Sequence, residues 1–138
     1  VSTAQLVGSW KLISVSSKKR DGSTDSPYGT TPTGVLTYSD DGRMSALISF
    51  DGRKPLPFGG GTPEDLAEAF RTFLGYAGSY RLDGDKVIHR VEVSSIQSLV
   101  DKDLIRTLKF EADQITLTTP PTSIKGEMQI VDLIWQRI

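Results

Sequence analysis

The chain has 138 residues, 16 lysines and arginines against 17 aspartates and glutamates, and 37% hydrophobic content. That is enough for one domain over residues 1–138 with a substantial core, and the near-neutral balance argues against a disordered chain or a polyanion-binding one. With one histidine and no cysteine, disulfide frameworks and thiolate chemistry are excluded, and a metal site lacks its usual ligands, so no metal and no cofactor are expected.

Other absences point the same way. There is no asparagine for N-glycosylation, and no apolar run approaches the roughly 20 residues of a membrane span. Lys18-Lys19-Arg20 is the only basic cluster and precedes an Asp-Gly turn, the pattern of a solvated turn and not of a nucleic-acid face. The expectation is a cytoplasmic protein with neither a membrane span nor a nucleic-acid partner, although a chain starting at Val1 leaves room for a removed leader.

In chain order, Leu6 to Val15 places Gly8 two residues before Trp10 and continues as a strand. Lys18 to Tyr28 is polar around Asp21-Gly22 and reads as a loop. Val35–Tyr38 and Arg43–Phe50 flank Ser39-Asp40-Asp41-Gly42, and a tight Asp-Gly turn between alternating runs predicts a hairpin. After a loop over 51–61, Thr62 can cap, Pro63 suits the first helical position, and Glu64 and Asp65 favour the positive end of the dipole. This predicts a helix over about residues 63–75, ended by Gly75 and Gly78. Its apolar stripe of Leu66, Ala69, Phe70, Phe73 and Leu74 calls for burial against one end of a sheet.

Strands then return at Ser79–Leu82, Val87–Ser95, Leu104–Phe110, Ile115–Thr119 and Met128–Ile138. The total of about eight, with short turns between most of them, predicts an all-β antiparallel barrel or sandwich.

The strand at 87–94 alternates strictly, which puts Val87, His89, Val91 and Val93 on one, inward, face. His89 therefore sits among valines, where a polar ring needs partners. One strand later Leu104, Arg106, Leu108 and Phe110 share a face, so Arg106 is expected inside as well. A buried guanidinium stays charged and needs a carboxylate, several acceptors or a ligand anion. Two readings follow. In the first, Arg106 pairs with Asp132 or Glu92 in a purely structural network. In the second, a ligand pocket has walls from Met44, Ile48, Phe110 and Ile115 and orienting groups in His89, Arg106, Tyr38 and Tyr80, the makeup of a small-molecule site. Val91 and Trp135 are added to that lining. In the pocket reading His89 would act as acid or base, and Arg106 would stabilise an oxyanion or enolate. Tyr76 and Tyr80, next to the predicted helix end, read as core first and as lining of the pocket mouth second.

Leu6-Val7-Gly8-Ser9-Trp10-Lys11-Leu12, Pro32-Thr33-Gly34-Val35-Leu36-Thr37-Tyr38, Tyr76-Ala77-Gly78-Ser79-Tyr80, His89-Arg90-Val91-Glu92-Val93-Ser94 and Leu133-Ile134-Trp135-Gln136-Arg137 follow one another in a recognisable order. In these stretches the sequence resembles the small lipocalin-like domain family of bacteria and fungi, within the calycin group of β-barrels. The resemblance implies a lipocalin-like barrel with an internal cavity for a hydrophobic small molecule, and an Arg137 that stacks on Trp10 to close the floor. The threonine-aspartate-tyrosine motif and the disulfide cysteines of secreted lipocalins are missing.

Related barrels of microbial biosynthetic pathways imply a first function. This is a cofactor-independent cyclase or isomerase that folds a polyketide- or terpenoid-like intermediate, with His89 and Arg106 as catalytic groups. A carrier or sensor that uses the same cavity without chemistry is the alternative. A haem-binding barrel with His89 as axial ligand is a third.

Overall fold

A computed structural model describes residues 2–138. A short helical turn, α1 (Thr3–Leu6), leads into β1 (Gly8–Lys19), β2 (Thr24–Asp25), β3 (Thr33–Tyr38) and β4 (Arg43–Ser49). The main helix α2 (Pro63–Arg71) follows, then β5 (Phe73–Asp83), β6 (Lys86–Ser94), β7 (Asp103–Glu111), β8 (Gln114–Thr118), β9 (Thr122–Ile124) and β10 (Glu127–Arg137). Pairing is antiparallel in the order β1-β3-β4-β5-β6-β7-β8-β10, and β10 returns to β1. Eight strands thus close a barrel, and β2 and β9 extend its rim. Closure removes the free edges that would otherwise invite pairing with another chain.

The predicted hairpin is present: β3 and β4 pair from Thr33↔Ser49 to Tyr38↔Met44 across the Asp-Gly turn. Met44, Ala46 and Ile48 are buried along the inner face of β4, as their alternation requires. One end of the barrel has a built floor. The Trp10 indole N–H donates to the Leu6 carbonyl at 3.0 Å, and the Arg137 guanidinium lies 4.1 Å from the centre of the Trp10 ring system. Arg137 also donates to the Val7 carbonyl at 2.9 Å and to the Gln5 carbonyl, which ties α1 across the opening. Gly8 fits here because its φ is +134° and a Cβ would stand 2.8 Å from the Arg137 guanidinium.

The structure departs from the sequence reading in five respects. The 18–28 loop is shorter than expected, since β1 runs on to Lys19 and pairs with β2. The helix ends at Arg71, not near residue 75, because Phe73, Leu74 and Gly75 pair with Ser49, Ile48 and Leu47 of β4. Sheet pairing wins over another turn of a nine-residue helix. Thr62 caps as expected, accepting from the Asp65 N–H at 3.1 Å, but no residue of α2 is buried and Leu66 and Phe70 remain 48% and 58% exposed. β5 therefore starts at Phe73, well before Ser79, and Gly78 does not end a helix. It lies in the strand where a Cβ would be 1.8 Å from the Arg90 carbonyl oxygen. That crowding marks a bulge between β5 and β6, where Ala77 pairs with Val93 and Gly78 with Val91. The extra residue, Glu92, turns the last part of β6 over, so Val93 points outward and is 63% exposed.

Candidate functional site

Above the floor the barrel holds a cavity of about 400 Å³. Leu36, Ala46, Ile48, Leu117, Leu133 and Trp135 form its apolar walls, and Tyr28, Leu74, Leu99 and Ile124 stand around its mouth. Tyr28 stacks on Phe50 with ring centres 4.1 Å apart, which fixes that part of the rim. The polar lining is small: Tyr76 from β5, His89 from β6, Arg106 from β7, and Asp103, Thr119 and Thr122 near the rim.

His89 is 1% exposed and is held from both sides. The Tyr38 hydroxyl lies 2.6 Å from its Nε2 and the Tyr76 hydroxyl 2.8 Å from its Nδ1. The elements dictate this. Tyr38 ends β3, and Tyr76 and Tyr80 share the inner face of β5, with Tyr80 directly opposite His89. Burial, reinforced by the positive charge of Arg106, pulls the imidazole down to about 3. Burial likewise pushes the Tyr76 hydroxyl up to about 12 and Tyr38 well above the usual phenol range. At neutral pH the relay is therefore an uncharged imidazole between two protonated phenols.

Arg106 lies on the same face, one pair from His89: it is opposite Val87, and His89 is opposite Leu104. Its surroundings differ from the sequence reading. It is half-buried, not buried, and donates to the Ile105 carbonyl at 3.0 Å. Neither proposed carboxylate meets it. Glu92 forms a two-bond pair with Arg43 at 2.7 and 3.0 Å, and Asp132 accepts from the Thr118 hydroxyl at 2.6 Å. Asp103, the one acid of the cavity lining, is held by Arg81 at 3.4 Å and Arg90 at 3.6 Å.

A sequence model of the lipocalin-like domain matches residues 7–138. The chain belongs to that family. A curated relative, the 4'-hydroxy-3'-methoxypropiophenone carrier protein ppsC of Aspergillus oryzae, is 31% identical over 87 residues, covering 56% of this chain and 78% of the relative.

Of the expected site residues, this lipocalin-like barrel brings His89, Arg106, Ile48 and Trp135 to the cavity wall. Tyr38, Met44, Val91, Phe110 and Ile115 lie outside its lining. Tyr38 serves the site indirectly, as the inner partner of His89. Phe110 meets the edge of Trp10 at 6.5 Å between ring centres, and Ile115 is wholly buried next to Trp135 on the paired strand, so both pack the floor. Tyr80 is turned aside, donating to the Ser39 carbonyl at 2.7 Å.

Tyr76, read first as core, lines the cavity. Its signal was the alternation Leu74, Tyr76, Gly78, Tyr80, masked because Phe70, Phe73 and Leu74 also fit helical spacing. The haem reading does not fit these residues, since both ring nitrogens of His89 already hold tyrosine hydroxyls and leave none for iron.

Proposed function

We propose that this barrel binds a small hydrophobic, oxygen-bearing molecule in its cavity and carries it without altering it. The observation that carries this reading is the cavity itself: about 400 Å³, walled by aliphatic and aromatic side chains, with a closed floor. The relative named as a carrier of an aryl ketone supports the same class of ligand, an oxygenated aromatic compound. The state of His89 argues against chemistry through it. An imidazole with a pKa of about 3 and both nitrogens engaged is a poor base at neutral pH.

One observation favours the cyclase or isomerase reading. Arg106 has no carboxylate partner among the described residues and lies in the lining with Tyr76, where a developing enolate would be stabilised. The two readings separate in one experiment. The purified protein is examined by native mass spectrometry, then denatured, and the released compound is identified before and after incubation with fresh ligand. Recovery of the same compound supports the carrier. A rearranged product of equal mass would overturn it in favour of catalysis.

A further inference from the structure

The hydrogen bonds around His89 fix which way its protons face, and this has a consequence for the ligand. Tyr38 is 1% exposed, and among the described residues its hydroxyl meets only His89. A neutral imidazole has one donor nitrogen and one acceptor nitrogen. If Nε2 carried the proton, the Tyr38 oxygen would accept it and the Tyr38 O–H would be left in the core with no acceptor, a costly orphan. If Nδ1 carries the proton, Tyr38 donates to Nε2 and Nδ1–H donates to the Tyr76 oxygen. The Tyr76 O–H is then the one left over, and Tyr76 lines the cavity, where a ligand can accept it. The second arrangement leaves no group of the Tyr38–His89–Tyr76 relay unsatisfied inside the wall.

The polar end of the cavity is therefore built of donors. Tyr76 offers an O–H, and Arg106 offers a guanidinium that spends one bond on the Ile105 carbonyl and meets no carboxylate among the described residues. The neighbouring acids are turned elsewhere: Asp103 to Arg81 and Arg90, Glu92 to Arg43, Asp132 to Thr118. Thr122 gives its hydroxyl proton to the Pro120 carbonyl, and Thr119 accepts from the Val131 N–H. A half-buried cation without a counter-charge beside a spare hydroxyl donor is matched by an acceptor that bears negative charge.

We propose that the cavity selects aromatic or other apolar molecules bearing an oxyanion, held between the Tyr76 hydroxyl and the Arg106 guanidinium. Carboxylates, sulfonates and ionised acidic phenols belong to this class. Tyr76 and Arg106 are then the specificity-determining residues, and Tyr38 and His89 position the Tyr76 proton. The proposal rests on the cavity reading above.

The test compares two probes that share a skeleton: 1-anilinonaphthalene-8-sulfonate, an anion, and N-phenyl-1-naphthylamine, its neutral counterpart. Both are titrated by fluorescence into the wild-type protein and into Arg106→Leu, Arg106→Lys and Tyr76→Phe, each checked for folding by circular dichroism. The expected result is that wild type prefers the anion at least tenfold. Arg106→Leu erases the preference but still binds the neutral probe, Arg106→Lys restores most of it, and Tyr76→Phe reduces it several-fold. Equal affinity for the two probes in wild type overturns the oxyanion assignment and leaves the cavity reading standing. So does a preference that survives Arg106→Leu. Binding of neither probe overturns both.

Discussion

Tyr38 Oη and His89 Nε2 stand 2.6 Å apart in the interior, joining β3 to β6 across residues 51 positions apart in sequence. Such a bond is shorter than most between neutral groups, and Tyr38 donates to Nε2 only while the imidazole is uncharged. The folded state therefore resists protonation of His89, whose pKa falls from 6.5 to about 3, burial being the larger cause and Arg106 the smaller. Between those values the unfolded chain binds a proton that the folded one refuses. The contribution of His89 is thus complete above pH 6.5 and is lost as the pH drops below it, by about 2 kcal/mol at pH 5. Urea unfolding at pH 7 and pH 5 measures this directly. The loss in wild type should exceed that in His89→Gln, which has no imidazole to titrate in the window. An equal loss in both proteins would contradict the buried neutral imidazole.

The same relay has a spectroscopic signature. Because the chain contains one histidine, its ring nitrogens need no assignment by mutation. Long-range ¹H–¹⁵N correlation at pH 7 should show Nδ1 as the protonated nitrogen and Nε2 as the bare acceptor. Tyr38→Phe should move the Nε2 resonance most and cost about 1–3 kcal/mol, the price of leaving a buried acceptor unmade. A protonated Nε2 in wild type would reverse the donor direction and leave Tyr76 with no free proton for a ligand.

The barrel was legible in the sequence because its signals are local. Alternation in β3, β4, β6 and β7, the Asp-Gly hairpin and the Gly8-x-Trp10 pair each act within a few residues. His89 stood out for the same reason, a polar ring on a valine face. What could not be read was set by non-local pairing. The early start of β5 depends on Phe73 finding Ser49, and the outward turn of Val93 depends on a bulge forced by contact of Gly78 with Arg90. The partners of Arg106 are a question of reach in three dimensions. Glu92 and Asp132 were candidates by strand proximity alone, yet Arg43 and Thr118 hold them.

The floor should be sensitive to the shape of a side chain as well as to its charge. Arg137 stacks on Trp10 and donates to two carbonyls of the segment that precedes β1. Arg137→Ala is expected to cost about 1–3 kcal/mol, with charge-assisted bonds and packing lost together. Arg137→Lys should recover less than half, because an ammonium cannot lie flat on the indole and bridge both carbonyls. Gly8→Ala adds a Cβ at positive φ against the same guanidinium and should cost about as much. Thermal unfolding of the three variants tests the ranking. Full recovery in Arg137→Lys would mean that charge alone holds the floor.

The mouth of the cavity offers a change that separates binding from folding. Leu74 is half-buried on the rim, two residues before Tyr76 on the same face of β5. Leu74→Trp adds an indole toward the opening without touching the floor or the His89 relay. Ligand affinity should fall at least tenfold, while stability changes by no more than about 1 kcal/mol, since a partly exposed position tolerates extra volume. Gly78→Ala gives the contrast: its Cβ meets the Arg90 carbonyl inside the sheet at 1.8 Å, so the backbone must move and folding suffers before binding is reached. Parallel urea unfolding and probe titration of the two variants distinguish these effects. If Leu74→Trp leaves affinity intact, the ligand enters by another route than the rim around Tyr28 and Leu74.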